Sequence, residues 1–424
     1  NDLINFLREG KYKIEDILSF INLIPYPFAE YGDYERFEFM MLWLRNELDK
    51  KLNRKIGIYN ESSIFTSIGH MTLLVSLLKA IKLNVVDKEK SRINFIITKT
   101  PIANLEYSKL LIEKCNQIGV SIKKDIKSSY LDFEPNLEFW PNSCTHQYSF
   151  SRHLFGLVDG CWELSNSKKF LSPKNEHIEI AKDIIIKNYG KLPTDFVGIH
   201  FRIANDLKTL RNTSRSTAVN TLEILENKGI KSFLVGTKSN KKFYLNNSIF
   251  NFKNSINILD TTELDLSRYE RECLQLFIWS KSRFFLGSLS GGTMPPMTFG
   301  TPTIWIDIHP QIHVRLPSKH DHVIRKRIFF EKEKRFLNFN ELFEVKHLAA
   351  QSENYEYVKQ KGYKIFSCDK NKLKNSINDM IFQTNYSNRN KLWNESEKKA
   401  YLSSLKKLRD NGEYKKYGYG AVYY

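Results

Sequence analysis

Between Ile178 and Asp307 the chain alternates helical-period segments with short apolar runs that end in polar residues. The runs are Phe196 to His200, Ser232 to Val235, Ile256 to Leu259, Phe284 to Gly287 and the segment from Thr303 to Asp307. Helical spacing fills Ile178 to Tyr189, Ser216 to Asn227 and Tyr269 to Trp279. Runs this short, separated by helices, predict a parallel sheet covered on its faces, because parallel neighbours need a crossover. In such a doubly wound unit the ligand crevice lies at the carboxyl ends of the strands. Those ends carry His200-Phe201-Arg202, Gly236-Thr237, Asp260-Thr261-Thr262 and the Ser288 to Thr293 loop.

A similar alternation begins earlier. Ile56 to Tyr59, Ile93 to Ile97 and Val120 to Ile122 read as strands, with helices over Gly69 to Leu83 and Ala103 to Ile118. Ahead of it lies a helical lead-in broken at Pro25-Tyr26-Pro27. From Tyr130 to Lys174 the periodicity fades into a connecting region with short helices. After about residue 335 the sequence becomes Lys/Asn-rich and helical, including a basic amphipathic segment from Glu397 to Leu408. The expected organisation is a helical lead-in (1–54), an α/β domain (55–175), a second α/β domain (176–335) and a helical C-terminal extension (336–424). A chain of 424 residues is long enough for two cores of ordinary size.

The stretch FFLGSLSGGTMPPMTFGTPTIWID, Phe284 to Asp307, reads as strand, loop, helix, turn and strand. Glycines at 291 and 292 let backbone amides approach a ligand. Pro295 and Pro296 suit the first turn of a helix, whose free N–H groups would favour a phosphate. An ordinary Gly/Ser turn would look the same. Arg202 offers a planar fork of donors with permanent charge, suited to a diphosphate, and alternation turns His200 to the same side. An arginine bridged at a domain edge is the other reading. Arg211-Asn212, closing the polar loop after Arg202, are placed to meet the same anion.

His70 opens a predicted helix after Thr66-Ser67-Ile68-Gly69. An imidazole there is suited to take a proton near neutral pH, with the helix end favouring its neutral form. A capping or core histidine is the plain alternative. Asp206 and Asp260 are competing carboxylate bases, while Glu263 and Asp265 read as surface. His320-Asp321-His322 lacks a third ligand, and no DxD-type acidic pair occurs, so no metal or other cofactor is expected.

The 65 Lys and Arg residues against 47 Asp and Glu leave a charge of +18, which suits anionic or phosphorylated partners. With no compact basic block, nucleic acid is not among them. Cys115, Cys144, Cys161, Cys273 and Cys368 are odd in number and lack a CxxC pair, as expected of free thiols in a reducing compartment. No apolar run approaches the ~20 residues that span a bilayer, and no signal peptide is seen. A cytoplasmic chain is expected, with contact at the inner-membrane surface open to it.

HFR after a strand, followed later by FFLGSLSGGTMPPMTFGTP, resembles the nucleotide-sugar half of GT-B glycosyltransferases. The similarity is to the fucosyltransferase-like group and to bacterial glycosyltransferases of surface-polysaccharide clusters. It runs over about 55–310 and is clearest from Asp195 to Asp307. The resemblance implies two Rossmann-like doubly wound domains facing a cleft, a nucleotide-sugar donor, and a glycan or lipid-linked oligosaccharide acceptor. It implies that Arg202 and Ser288, Ser290, Gly291, Gly292 and Thr293 bind the donor diphosphate, with Arg211-Asn212 shared by the bacterial group; the strand-end residues His200, Gly236 and Thr237 complete the expected donor site. His70, Arg202 and Asp206 would be catalytic, in inverting transfer during capsule or lipopolysaccharide biosynthesis. The acidic residue expected directly after HxR is absent, with Ile203-Ala204 in its place and Asp206 nearest, so the donor base and sugar are not assigned. An anion cradle alone would equally serve a phosphoribosyl or other phospho-group transferase, or a non-catalytic nucleotide- or glycan-binding module.

Overall fold

The computed structural model describes residues 65, 68–83, 94–97, 102–124, 139–142, 147–150, 158–159, 162, 169–203, 209–236, 257–309, 320–338, 341, 355–385 and 421–423. The chain divides into two compact units. Unit 1 comprises Asn1–Ala103, Leu111–Val158 and Ala400–Tyr417; unit 2 comprises Asn104–Leu110, Asp159–Lys399 and Gly418–Tyr424.

In unit 1, helix α1 (Ile68–Lys82) buries Met71, Leu74, Val75 and Leu78, the three- and four-residue spacing of one helical stripe. Strand β1 (Asn94–Ile97) runs into helix α2 (Leu105–Ile118) and then strand β2 (Ser121–Lys124), which pairs parallel to β1 with Asn94 opposite Ser121. The boundary between units passes through α2. Strands β3 (Phe139–Asn142) and β4 (Gln147–Phe150) form an antiparallel ribbon where the sequence suggests an irregular connection with short helices. Four-residue strands leave almost no period to detect, and Pro141 within β3 argues against a strand. A two-stranded ribbon accepts it because each strand keeps one edge unpaired.

Unit 2 is built on a parallel sheet. Its elements begin with α3 (Asn175–Tyr189), β5 (Val197–His200), α4 (Arg215–Asn227), β6 (Ser232–Leu234) and β7 (Ile258–Asp260). They continue with α5 (Arg268–Lys281), β8 (Phe285–Gly287), the single turn α6 (Pro295–Thr298), β9 (Thr303–Ile308) and β10 (His322–Arg325). Next come β11 (Arg327–Phe330), β12 (Arg335–Phe336), α7 (Tyr355–Gln360), β13 (Tyr363–Phe366), α8 (Lys370–Gln383) and β14 (Ala421–Tyr423). The seven-stranded sheet has the order β14-β10-β9-β8-β5-β6-β7, every pairing parallel. This is an α/β fold.

Alternation sorts the strand residues between the faces. Val197, Ile199, Leu234, Leu286, Ile304 and Ile306 pack with Leu222 and Leu225 of α4 and with Leu373, Ile377 and Met380 of α8. On the opposite side Phe196 meets Phe233 edge-on at 4.9 Å and stacks on Phe277 of α5 at 5.6 Å. The helices start where their side chains satisfy free N–H groups. Ser267 and Glu270 form a reciprocal capping box on α5, Ser214 accepts from Thr217 N on α4, and Asp369 accepts from Asn371 N and Lys372 N on α8.

The sequence suggests a separate helical addition from residue 336. The described residues there supply α7, β13, α8 and β14, and α8 packs in the core of the main sheet. A smaller antiparallel sheet, β12-β11-β13, lays Ile328, Tyr363 and Val358 against Leu210. Its strands are too short and too charged for periodicity to reveal.

Candidate functional site: the switch point of the parallel sheet

In the order β7-β6-β5-β8-β9-β10 the chain winds outward from β5 in one direction and from β8 in the other. The two strands at which winding reverses lie side by side, with His200 opposite Gly287. In doubly wound sheets the loops after two such strands diverge, and ligands bind at their carboxyl ends. HFR follows one of these strands and the Ser288–Thr293 loop the other. The two sequence motifs are therefore neighbours, as the strand pattern predicts.

Side chains join them directly. His200 Nε2 lies 3.0 Å from Ser290 Oγ, and its Nδ1 lies 3.1 Å from the carbonyl of Val235 at the end of β6. A carbonyl can only accept, so Nδ1 carries the proton and Nε2 accepts from the Ser290 hydroxyl. Burial lowers the His200 pKa, the Val235 hydrogen bond opposes this, and nearby Arg202 adds to the lowering. The imidazole is accordingly neutral and its tautomer set by the fold.

Arg202 is half-buried; its backbone N–H donates to Ser288 Oγ at 3.0 Å and its guanidinium to Asn212 Oδ1. Arg211 donates to the carbonyl of Leu289 at 3.3 Å, and Thr213 donates through its hydroxyl to Ser288 Oγ at 2.8 Å. Two glycines permit this closeness. A Cβ on Gly287 would lie 2.4 Å from Thr293 Oγ1 and 2.7 Å from the His200 carbonyl oxygen; one on Gly292 would lie 2.9 Å from the His200 ring.

Within the loop the roles divide. Ser288 and Thr293 are fully buried and stand behind the surface, whereas Ser290, Gly291 and Gly292 are partly exposed. The helix expected after the loop is a single buried turn, Pro295–Thr298, so any anion would be met by loop amides and side chains and not by a helix dipole. Gly236 follows Val235 at the end of β6 on the same edge. Thr237 and Asp206 lie outside the described residues. His70 is the third residue of α1 in unit 1, and its side chain is likewise outside them.

Asp260, weighed above as a base, accepts from Thr262 N at 3.0 Å and Thr262 Oγ1 at 2.6 Å and so caps the turn after β7. Glu263 and Asp265 are exposed. Asp321 accepts from Thr303 N at 2.7 Å, while His322 Nδ1 lies 2.8 Å from Ser376 Oγ. Among the described residues no group of three or more His, Cys, Asp or Glu is placed to hold a metal ion, and no helix is long and apolar enough to cross a membrane. Cys115, Cys273 and Cys368 are buried free thiols.

Three residues at this edge have no counterpart in the sequence reading. Asp307 is buried in the left-handed region, φ 53°, where β9 gains one residue against β10: Val323 faces Trp305, but Arg325 faces Ile308. Burial would raise its pKa, but Lys326 and the N–H groups of Ser214 and Cys368 outweigh this and hold the carboxyl low. Lys326 reaches the Asn212 carbonyl at 2.8 Å. The His309 imidazole is buried with no hydrogen-bond partner among the described residues, while its backbone carbonyl accepts from Arg325 at 3.1 Å; burial and then Lys326 and Arg325 hold its pKa at about 4. The one available signal was an acidic residue ending the apolar run TIWID.

These features define an α/β protein with a polar, cation-bearing site at the switch point of a doubly wound sheet. No family model, curated protein or solved structure matches the chain.

Proposed function

We propose that the chain is a glycosyltransferase of GT-B architecture that moves a sugar from a nucleotide-diphosphate donor to a glycan or lipid-linked acceptor in bacterial surface-polysaccharide assembly. The observation that carries this reading is the meeting of HFR and the Ser288–Thr293 loop at the switch point, where doubly wound sheets bind nucleotides. Arg202, Arg211 and the amides of Ser290 to Gly292 meet the diphosphate charge, with no divalent ion assigned to that task. Charge develops on the diphosphate as the glycosidic C–O bond breaks, and donors already in place stabilise it most.

In this reading the acceptor hydroxyl oxygen bonds to the anomeric carbon, the bond to the diphosphate breaks with its electron pair leaving on the nucleotide, and a base takes the hydroxyl proton. His70 of a Rossmann-like acceptor domain is the proposed base. Asp206 is the alternative. The +18 charge suits a pyrophosphate-linked acceptor and an anionic inner leaflet.

The test is a thermal-shift screen of the purified protein against GDP, UDP, CMP, dTDP, ADP and phosphoribosyl pyrophosphate, with and without EDTA. A selective shift by one nucleotide, insensitive to EDTA and lost in Arg202→Ala, is expected. A shift with phosphoribosyl pyrophosphate alone would assign the cradle to phosphoribosyl transfer, and no shift at all would remove the donor site. Turnover lost in His70→Ala with donor binding intact is the expected sign of the base.

A further inference from the structure

Asn212 is one partner that holds the Arg202 guanidinium, and its own position is set from behind. Its side-chain oxygen accepts from Arg202, while its backbone carbonyl accepts from Lys326 Nζ at 2.8 Å. Lys326 is 7% exposed, and its ammonium lies 3.5 Å from Asp307 Oδ2. That carboxylate also receives Ser214 N at 2.6 Å and Cys368 N at 2.8 Å, so one buried group gathers three strands of chain. Thr213, between Asn212 and Ser214, donates its N–H to the Arg202 carbonyl at 2.9 Å and its hydroxyl to Ser288.

The segment 211–214 is therefore pinned at both ends. One end touches the β5 and β8 loops that form the site, and the other touches the Asp307–Lys326 pair. A buried ion pair is a poor means of adding stability, since desolvating both charges consumes much of what their attraction returns. It is better suited to fixing geometry. Asp307 reaches its place only because the bulge in β9 turns it over in a left-handed conformation.

We propose that Asp307 and Lys326 are positioning residues for the anion site, acting on the ligand through Asn212 and Arg202. This rests on the donor-site reading above. Neither residue needs to touch the ligand.

The experiment is a double-mutant cycle read by calorimetric binding of inorganic pyrophosphate, with unfolding followed in parallel. Lys326→Met is expected to weaken binding about tenfold in the wild-type background and less than about twofold in Arg202→Lys, because the fork it orients is already gone. Lys326→Arg, which keeps charge and donors, is expected to restore most of the affinity. Where Lys326→Met does not fold, the paired change Lys326→Gln with Asp307→Asn replaces the ion pair by two amides and enters the same cycle. Equal weakening in both backgrounds would overturn the proposal and leave the donor site standing. If wild-type protein binds neither pyrophosphate nor any of the nucleotides, the donor-site reading falls and takes this one with it.

Discussion

The two edges of the main sheet treat similar residues differently. At the amino edge Arg283 donates to Thr384 Oγ1, Asp195 Oδ2 and the Ile381 carbonyl, at 2.9, 2.9 and 2.5 Å, tying the end of α8 to the strand starts. A cavity of about 350 Å³ opens there, lined by Lys169, Asp195, Ser280, Ser282, Arg283 and Thr384. At the carboxyl edge the links run between loops: His200 to Ser290, Arg202 to Ser288 and Arg211 to Leu289. The reversal of winding selects the second edge as the ligand side. The amino-edge arginine closes the fold on itself, while the carboxyl edge orders polar loops beside partly exposed glycine amides, the arrangement that a ligand needs.

Acid is expected to have the largest effect, and it acts at both edges. Burial holds the pKa of His309, at the carboxyl edge, and of His322, where β10 begins, at about 4, against the ordinary 6.5. A folded-state pKa below the unfolded value means the unfolded chain binds more protons between the two. Their contribution is then complete above about pH 6.5 and is lost as pH falls toward 4. A depression of about 2.5 units is on the order of 3 kcal/mol per group. Urea unfolding across pH 4–8 should show this slope, and His309→Leu should flatten part of it. A stability independent of pH over that range would contradict the buried, neutral assignment.

Exchanging the arginines by alanine tests the comparison itself. Arg202→Ala is expected to weaken nucleotide-diphosphate binding about 10- to 100-fold, since charged hydrogen bonds contribute about 1.5–3 kcal/mol each. Arg283→Ala should instead lower Tm and leave affinity unchanged. Were the two phenotypes reversed, the amino-edge cavity would be the better candidate. Gly287→Ala comes next. Its Cβ would press on the backbone oxygen of His200, which cannot swing aside, so a loss of about 1–3 kcal/mol is expected by thermal denaturation.

The sequence shows the sheet well because its strands are nearly pure apolar runs and its helices are amphipathic. HFR and the Gly/Ser loop were legible for a related reason: the winding rule that places strands also places their carboxyl ends together. What was not legible depends on contacts far apart in the chain. Nothing local distinguishes Lys326, flanked by Arg325 and Arg327, from a solvated basic stretch, yet it is buried against Asp307 and Asn212. The division of Ser288 from Ser290, one buried and one partly exposed, also depends on which way a loop turns after β8. Strands as short as β3, β12 and β13 carry too few residues for a period of two to emerge.

The smallest expected effect is on the outer sheet. Glu341 accepts from both terminal nitrogens of Arg335 at 2.8 and 2.6 Å, and the arginine holds the carboxyl down to about 2. Lys326–Asp307 is looser at 3.5 Å, so distance alone would rank the surface pair as the stronger. Exposure removes that ranking. The Arg335 side chain is 45% exposed, water and salt screen the attraction, and ordering two long side chains costs entropy that offsets it. Glu341→Gln should therefore leave both Tm and nucleotide affinity at their wild-type values, at low and at high salt. A clear drop in either would mean that the β12-β11-β13 sheet, which packs on Leu210 beside Arg211, transmits to the site, and the contrast between the sheet's two edges would have to include it.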